Sequence, residues 1–277
     1  MSIMKSDAYA QQGLQGDWLG LAGKVCVVSG AASGIGAAIT NALAAQGANV
    51  VLLDRNREGC VTQLEALSGT SGRHLALACD VTSPDQIEQA VVAVKETYGS
   101  CQALVNAAGI LHTGGLDEIS VEDWNRQLAV NLTGYLLCAR AFIGLMTGGS
   151  IIHIGSISGT FPQPFSGAYS PSKAAVSLLS KQMAVEWGPR GIRSNVVAPG
   201  MIKTAMTADW YQQPGVSEAR EAFTASGRIG LPQDIADAVL FLASSRSGYI
   251  NGADIGVDGG LPQVLMGKIP RPGFSAR

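Results

Sequence analysis

A chain of 277 residues can bury a full core, but with 47% hydrophobic and only 14% charged residues it has little charge with which to cover its surface. The formal net charge of −2 offers no electrostatic footprint for nucleic acid or an anionic membrane. Five scattered cysteines without a Cys-x-x-Cys pair, and three isolated histidines, argue against a metal site and fit a reduced cytoplasmic interior.

Residues 1–20 carry Lys5, Gln11, Gln12, Gln15 and Asp17 and no apolar signal-peptide segment, so they read as a loosely ordered arm. No uninterrupted apolar run approaches the roughly 18 residues of a membrane span. From residue 24, short apolar, β-branched runs predict strands at 24–29, 49–53, 74–79, 103–105, 150–154, 192–198 and 254–257. Between them, helix-forming stretches are predicted at 37–46, about 60–67, 84–98, 121–145, 174–187 and 234–242. The segment 201–227, with Trp210, Tyr211 and Pro214, is less regular and suggests an inserted helical loop. Strands alternating with helices of crossover length imply an α/β fold, a doubly wound parallel sheet in three layers and a single domain over 21–260. Beyond it, 261–277 holds Pro262, Pro270 and Pro272 and predicts an extended tail, not one regular helix.

Between the first strand and helix stands Ser29-Gly30-Ala31-Ala32-Ser33-Gly34-Ile35-Gly36. Glycines there let the backbone turn sharply and approach a pyrophosphate, with Ser33 and Ile35 among them and a helix N-terminus facing the anion. Close helix–strand packing would use the same glycines. Asp54 ends the second strand, where a carboxylate can accept bonds from ribose hydroxyls and repel a 2′-phosphate. Arg55 beside it could instead receive that phosphate, but no basic residue lies in the glycine turn itself, so NAD is favoured over NADP. Tyr169-Ser170-Pro171-Ser172-Lys173 opens a helix, which brings phenol and amine to one face. An ammonium beside a phenol favours the phenolate, and a tyrosine so tuned can exchange a proton with an alcohol or carbonyl.

Taken with Asn106-Ala107-Ala108-Gly109, Asn131, Ser156, Pro199-Gly200 and Asp258-Gly259-Gly260, all in the same order, the chain resembles the classical short-chain dehydrogenase/reductase family from about 21 to 260. The resemblance implies a Rossmann fold, a nicotinamide cofactor and interconversion of a secondary alcohol and a ketone. It implies Tyr169 as general acid/base, Ser156 on the reacting oxygen, Lys173 on the nicotinamide ribose and depressing the tyrosine pKa, and Asn131 holding a proton-relay water. Asp80 and Val81 match adenine contacts, Asn106 to Gly109 flank the riboses, and Pro199, Gly200, Ile202 and Thr204 meet the nicotinamide. Ala107 stands where many members have a second asparagine, a departure that leaves the backbone approach intact. Ser158 is a rival to Ser156, and His153 reads as a core histidine. An NADPH-dependent 3-oxoacyl thioester (acyl-carrier-protein) reductase is the competing activity, and a non-catalytic NAD-binding scaffold is disfavoured because Ser156, Tyr169 and Lys173 are all present. Substrate walls are expected at 157–166 and 201–227, without a basic cluster for phosphate or coenzyme A, which suits an apolar or polyol-like alcohol. Low charge and the resemblance both suggest a homotetramer built on the helices at 121–145 and 174–187.

Overall fold

Seven runs rich in valine, isoleucine and leucine pair side by side because each must hide both faces of its pleat, which a parallel sheet covered by helices allows. The structure is a computed structural model and describes residues 17–269. Its strands are β1 (Val25–Ser29), β2 (Asn49–Asp54), β3 (Leu75–Ala78), β4 (Ala103–Asn106), β5 (Gly149–Ile154), β6 (Ile192–Pro199) and β7 (Asp254–Val257). They form one parallel sheet in the order β3-β2-β1-β4-β5-β6-β7. Val28 of β1 lies opposite Leu52 on one side and Val105 on the other. The chain therefore reverses its direction of winding at β1/β4, and the connections leaving those two strands diverge. Such a switch point opens a crevice at the carboxyl ends of the strands.

The helices are α1 (Gly34–Ala45), α2 (Arg57–Ala66), α3 (Pro84–Tyr98), α4 (Val121–Leu128), α5 (Gly134–Phe142), α6 (Tyr169–Trp187), α7 (Ala208–Tyr211), α8 (Val216–Ala222) and α9 (Pro232–Ala243). One apolar layer joins Ile39 and Leu43 of α1 and Ile235 and Val239 of α9 to Val28, Leu52 and Ile152. The opposite layer joins Ile87 and Val94 of α3, Phe142 of α5 and Met183 of α6 to Val27, Leu104 and Ile151. The doubly wound, three-layered architecture expected from the alternation is thus the one formed.

Several details differ from expectation. The predicted helix over 121–145 is interrupted by a π-helical turn, Ala129–Thr133, between α4 and α5, and ends in a 3₁₀ turn, Ile143–Leu145. The whole run Val121–Leu145 is long and apolar enough to cross a membrane by length and composition, but Tyr135, Cys138, Ala139 and Phe142 are buried inside the protein. β3 begins one residue late because the His74 ring takes the Val50 N–H at 3.2 Å. Of the arm, residues 17–20 are folded: Asp17 accepts from the Gly20 and Ala22 amides, Trp18 stacks on Phe241 at 6.4 Å, and Arg246 donates to the Trp18 carbonyl. The rest of the arm lies outside the described residues. The tail is not extended where it is described: Leu261–Lys268 form a 3₁₀ helix, whose first turn tolerates Pro262 because an N–H there would lack a partner anyway. Pro270 and Pro272 fall outside the described residues.

Candidate active site

The crevice is a cavity of about 860 Å³. Its floor is the turn from β1 into α1. Gly30 has φ +70°, and a Cβ there would stand 2.7 Å from the Ala108 backbone. A Cβ at Gly36 would collide with the Gly30 carbonyl. These two absences of side chain let the β1 and β4 connections nearly touch and keep the first turn of α1 open. Among the described residues no side chain caps α1: Ser33 occupies the N-cap position in extended geometry without such a bond. Its first-turn N–H groups thus remain available to an anion. Gly30, Ser33, Gly34, Ile35 and Gly36 all line the cavity, as do Ala107, Ala108 and Gly109 from the end of β4.

Asp54, at the end of β2, lies on the cavity wall and is braced by the Ala32 amide at 3.1 Å and the Asn56 amide at 2.9 Å. Arg55 beside it is exposed and also reaches the wall. Asp80 and Val81 complete this side. The Thr82 hydroxyl and amide both donate to Asp80, at 2.7 and 2.8 Å, and hold its carboxyl below the usual carboxylate range.

At the other side, Ser156 follows β5 and Tyr169 and Lys173 begin α6, and all three line the same cavity. The Ser156 oxygen accepts from the Ser158 amide at 3.0 Å, which fixes its rotamer, and the Ser156 side chain is hydrogen-bonded to Tyr169. Ser158 itself is buried and donates toward Gln163. The Lys173 amine lies 5.6 Å from the Tyr169 ring centroid, donates to the Ile154 carbonyl at 2.8 Å and to the Tyr135 hydroxyl at 3.4 Å. Burial lowers Lys173 to about 7. Burial also raises Tyr169, with the Ser156 bond pulling it down by less. The expected depression of the phenol is therefore not seen: desolvation of Tyr169 by burial outweighs the Ser156 bond.

Pro199 and Gly200, Ile202 and Thr204 line the cavity from the end of β6. Asn106 and Asn131 do not; both are fully buried behind it. Asn131 lies in the π turn, where its side chain accepts from the Ile110 amide and donates to the Ile110 carbonyl, both at 2.9 Å, and also donates to Ser172 at 3.3 Å. It ties the loop after β4 to the first turn of α6. π turns interrupt helices most often at functional sites. Asn106 lies 3.2 Å from His153, which is stacked on Tyr135 and reaches Ser194. Burial lowers His153 to about 3, so it is a neutral core residue.

Among the participants that escaped the sequence reading are Arg126 of α4, which lines the cavity, Tyr135 and Leu261. Tyr135 is buried, and its hydroxyl donates to the Ile154 carbonyl at 3.1 Å while accepting from Lys173. Its position four residues after Asn131 on a helical run was the available signal. Leu261 of the tail helix also reaches the cavity, which no pattern in the sequence announces. The 201–227 segment folds into α7 and α8 and contributes Met206, Trp210, Tyr211 and Arg220 to the wall.

A family model described as enoyl-(acyl-carrier-protein) reductase matches residues 30–262. The chain is 40% identical over 246 residues to a 2,5-dichloro-2,5-cyclohexadiene-1,4-diol dehydrogenase of Sphingobium indicum, covering 87% of this chain and 96% of that protein. It is 39% identical over 243 residues to a D-threitol dehydrogenase of Mycolicibacterium smegmatis, covering 87% and 93% respectively. A crystal structure of a short-chain type dehydrogenase/reductase from Mycobacterium marinum superposes with a TM-score of 0.82 at 34% identity, covering 88% of this chain and 98% of the other.

Proposed function

The chain belongs to the classical short-chain dehydrogenase/reductase family, and from that premise we propose that it is an NAD-dependent dehydrogenase interconverting a secondary alcohol and a ketone with Tyr169 as its general acid/base. It is an oxidoreductase acting on CH–OH groups. One observation carries the finer reading: the Ser156, Tyr169 and Lys173 side chains line the same cavity as the glycine turn.

The residues present fit a dinucleotide. Gly30 and Gly36, whose missing Cβ atoms would strike the Ala108 backbone and the Gly30 carbonyl, let the turn close tightly, and among the described residues no side chain caps the α1 N-terminus. Asp54, already accepting two backbone N–H groups, keeps lone pairs for ribose hydroxyls and a charge that opposes a 2′-phosphate. When bound, the nicotinamide supplies the two-electron acceptor or donor. The Ser156 hydroxyl, its oxygen held by the Ser158 amide, orients the substrate oxygen toward Tyr169. Tyr169, kept neutral by burial, gives its proton to a carbonyl oxygen in reduction and takes the hydroxyl proton in oxidation. Lys173 stands next to both the phenol and the Ile154 carbonyl, where it anchors the ribose and passes the proton on. Asn131 acts through its neighbours: by clamping Ile110 and Ser172 it sets the distance between the β4 loop and α6.

Exposed Val121, Leu178 and Val185 leave apolar surface on α4 and α6, which supports assembly of like chains through those helices. Light scattering showing a stable monomer would reject that part. The activity is tested with a panel of cyclic, polyol and aliphatic secondary alcohols and NAD. Turnover of at least one is expected, with NADH bound more tightly than NADPH. Tyr169→Phe should bind NADH within about threefold of the parent yet lose roughly 10²–10⁴ in turnover. Full turnover in that variant would overturn the assignment.

A further inference from the structure

Among the described residues, Arg55, Arg126, Lys173 and Arg220 bring basic side chains to the cavity wall. Its only acids among the described residues are Asp54 and Asp80, at the ends of β2 and β3, whereas the β6 side presents Arg220 from α8. The Arg220 guanidinium is 5.1 Å from the Trp210 ring centroid and 5.0 Å from that of Tyr211, and it is half-buried. Among the described residues no carboxylate pairs with it; the ion pairs present are His112–Asp123, Lys181–Asp254 and Arg228–Asp234. Beside it the Tyr211 hydroxyl is buried without a hydrogen-bond partner among the described residues, although it too belongs to the cavity wall. A partly desolvated guanidinium held by two rings, next to a buried phenol, leaves donors on the cavity wall without an acceptor among the described residues. An unmade bond to a buried hydroxyl costs free energy, so a ligand that supplies an acceptor gains that much.

We propose that the substrate carries a carboxylate that Arg220 receives, with Tyr211 as second donor, while Tyr169 and Ser156 act on its alcohol or ketone carbon; the enzyme thus takes hydroxy acids and their keto acids. This rests on the dehydrogenase reading above and narrows it. One planar fork matches one carboxylate bidentately. Met206, Phe161 and Leu261 add apolar surface to the cavity wall.

The test uses the full-length enzyme with NAD bound and a matched pair of non-reacting ligands, 3-phenylpropionate and 3-phenylpropanamide, titrated calorimetrically. The acid should bind about tenfold or more tightly than the amide, as expected for a charge-assisted bond. Arg220→Gln should bring the two within about threefold while NADH affinity and binding of the amide stay within about twofold. A purely structural role for Arg220 would weaken both ligands alike. Equal binding of acid and amide by the parent enzyme overturns the proposal, and needs no variant to fold. So does an Arg220→Gln enzyme that keeps the full preference. A preference lost in Arg220→Gln, together with no turnover of any secondary alcohol, would support the carboxylate site and refute the dehydrogenase reading alone.

Discussion

The glycine turn after β1 and the segment after β6 open on the same cavity, yet one is made of backbone and the other of side chains. In the turn, Gly30 approaches the Ala108 backbone so closely that no side chain fits, and the groups offered to a ligand are amides of fixed direction. After β6, a 3₁₀ turn at Ala205–Thr207 presents Met206, which is 53% exposed, and short helices α7 and α8 present Trp210 and Arg220. Recognition by backbone tolerates almost no substitution and suits the part of the ligand that never changes. Recognition by side chains can be rewritten residue by residue, which suits a substrate.

The strongest way to break that contrast is Gly30→Val. A branched Cβ at φ +70°, facing main-chain atoms at 2.7 Å, has no flexible neighbour to displace. We expect loss of NADH binding and destabilisation of more than about 3 kcal/mol, measured by titration and denaturant unfolding. Met206→Ala, in contrast, should change stability by less than about 1 kcal/mol and leave NADH affinity unchanged. Similar losses from both would erase the distinction.

Acid–base behaviour sharpens it next. Lys173, lowered to about 7 by burial, binds its proton less readily than in the unfolded chain. Between about 7 and its ordinary value of 10.5 the unfolded chain holds the extra proton, so the stability due to this residue rises with pH through that window. Lys173→Met should therefore be more stable than the parent below pH 7, with the advantage shrinking toward pH 10.5. His153 follows the same sign at lower pH: lowered from 6.5 to about 3, it withdraws stability as pH falls across that interval. Denaturant unfolding of His153→Gln should show a flatter acid limb.

Smaller effects follow at the edges of the cavity. Asp54→Ala should weaken NADH binding and cut the NADH-over-NADPH preference by about tenfold, the loss of a charged hydrogen bond. An unchanged preference would shift the cofactor choice to other residues. Tyr135→Phe keeps the ring stacked on His153 but removes the hydroxyl between Lys173 and the Ile154 carbonyl. Its expected cost is about 1 kcal/mol in stability, with a modest fall in turnover and a shifted pH profile. An unaltered profile would separate Tyr135 from the proton path.

The seven strands, the glycine turn and the Tyr169–Lys173 pair were legible in the chain because each rests on local rules: apolar β-branched runs, turn chemistry and helical spacing. The π turn at Ala129–Thr133 was not, since the residues there suit an ordinary helix and only the clamp of Asn131 on Ile110 explains the widening. The folded start at 17–20 and the 3₁₀ helix at Leu261–Lys268 depend likewise on distant partners, Phe241 for one and the cavity wall for the other.

By itself, then, the amino-acid order determined the layered sheet and the family, and pointed to many of the groups around the cavity. Only the tertiary structure decided the desolvation of Tyr169 and Lys173, the contact of Tyr135 with the amine, and the exposure of Arg220 to the cavity with no acidic partner among the described residues. The reason is physical: spacing along a chain specifies which side chains share a face, but desolvation and pairing depend on what the rest of the fold packs against them.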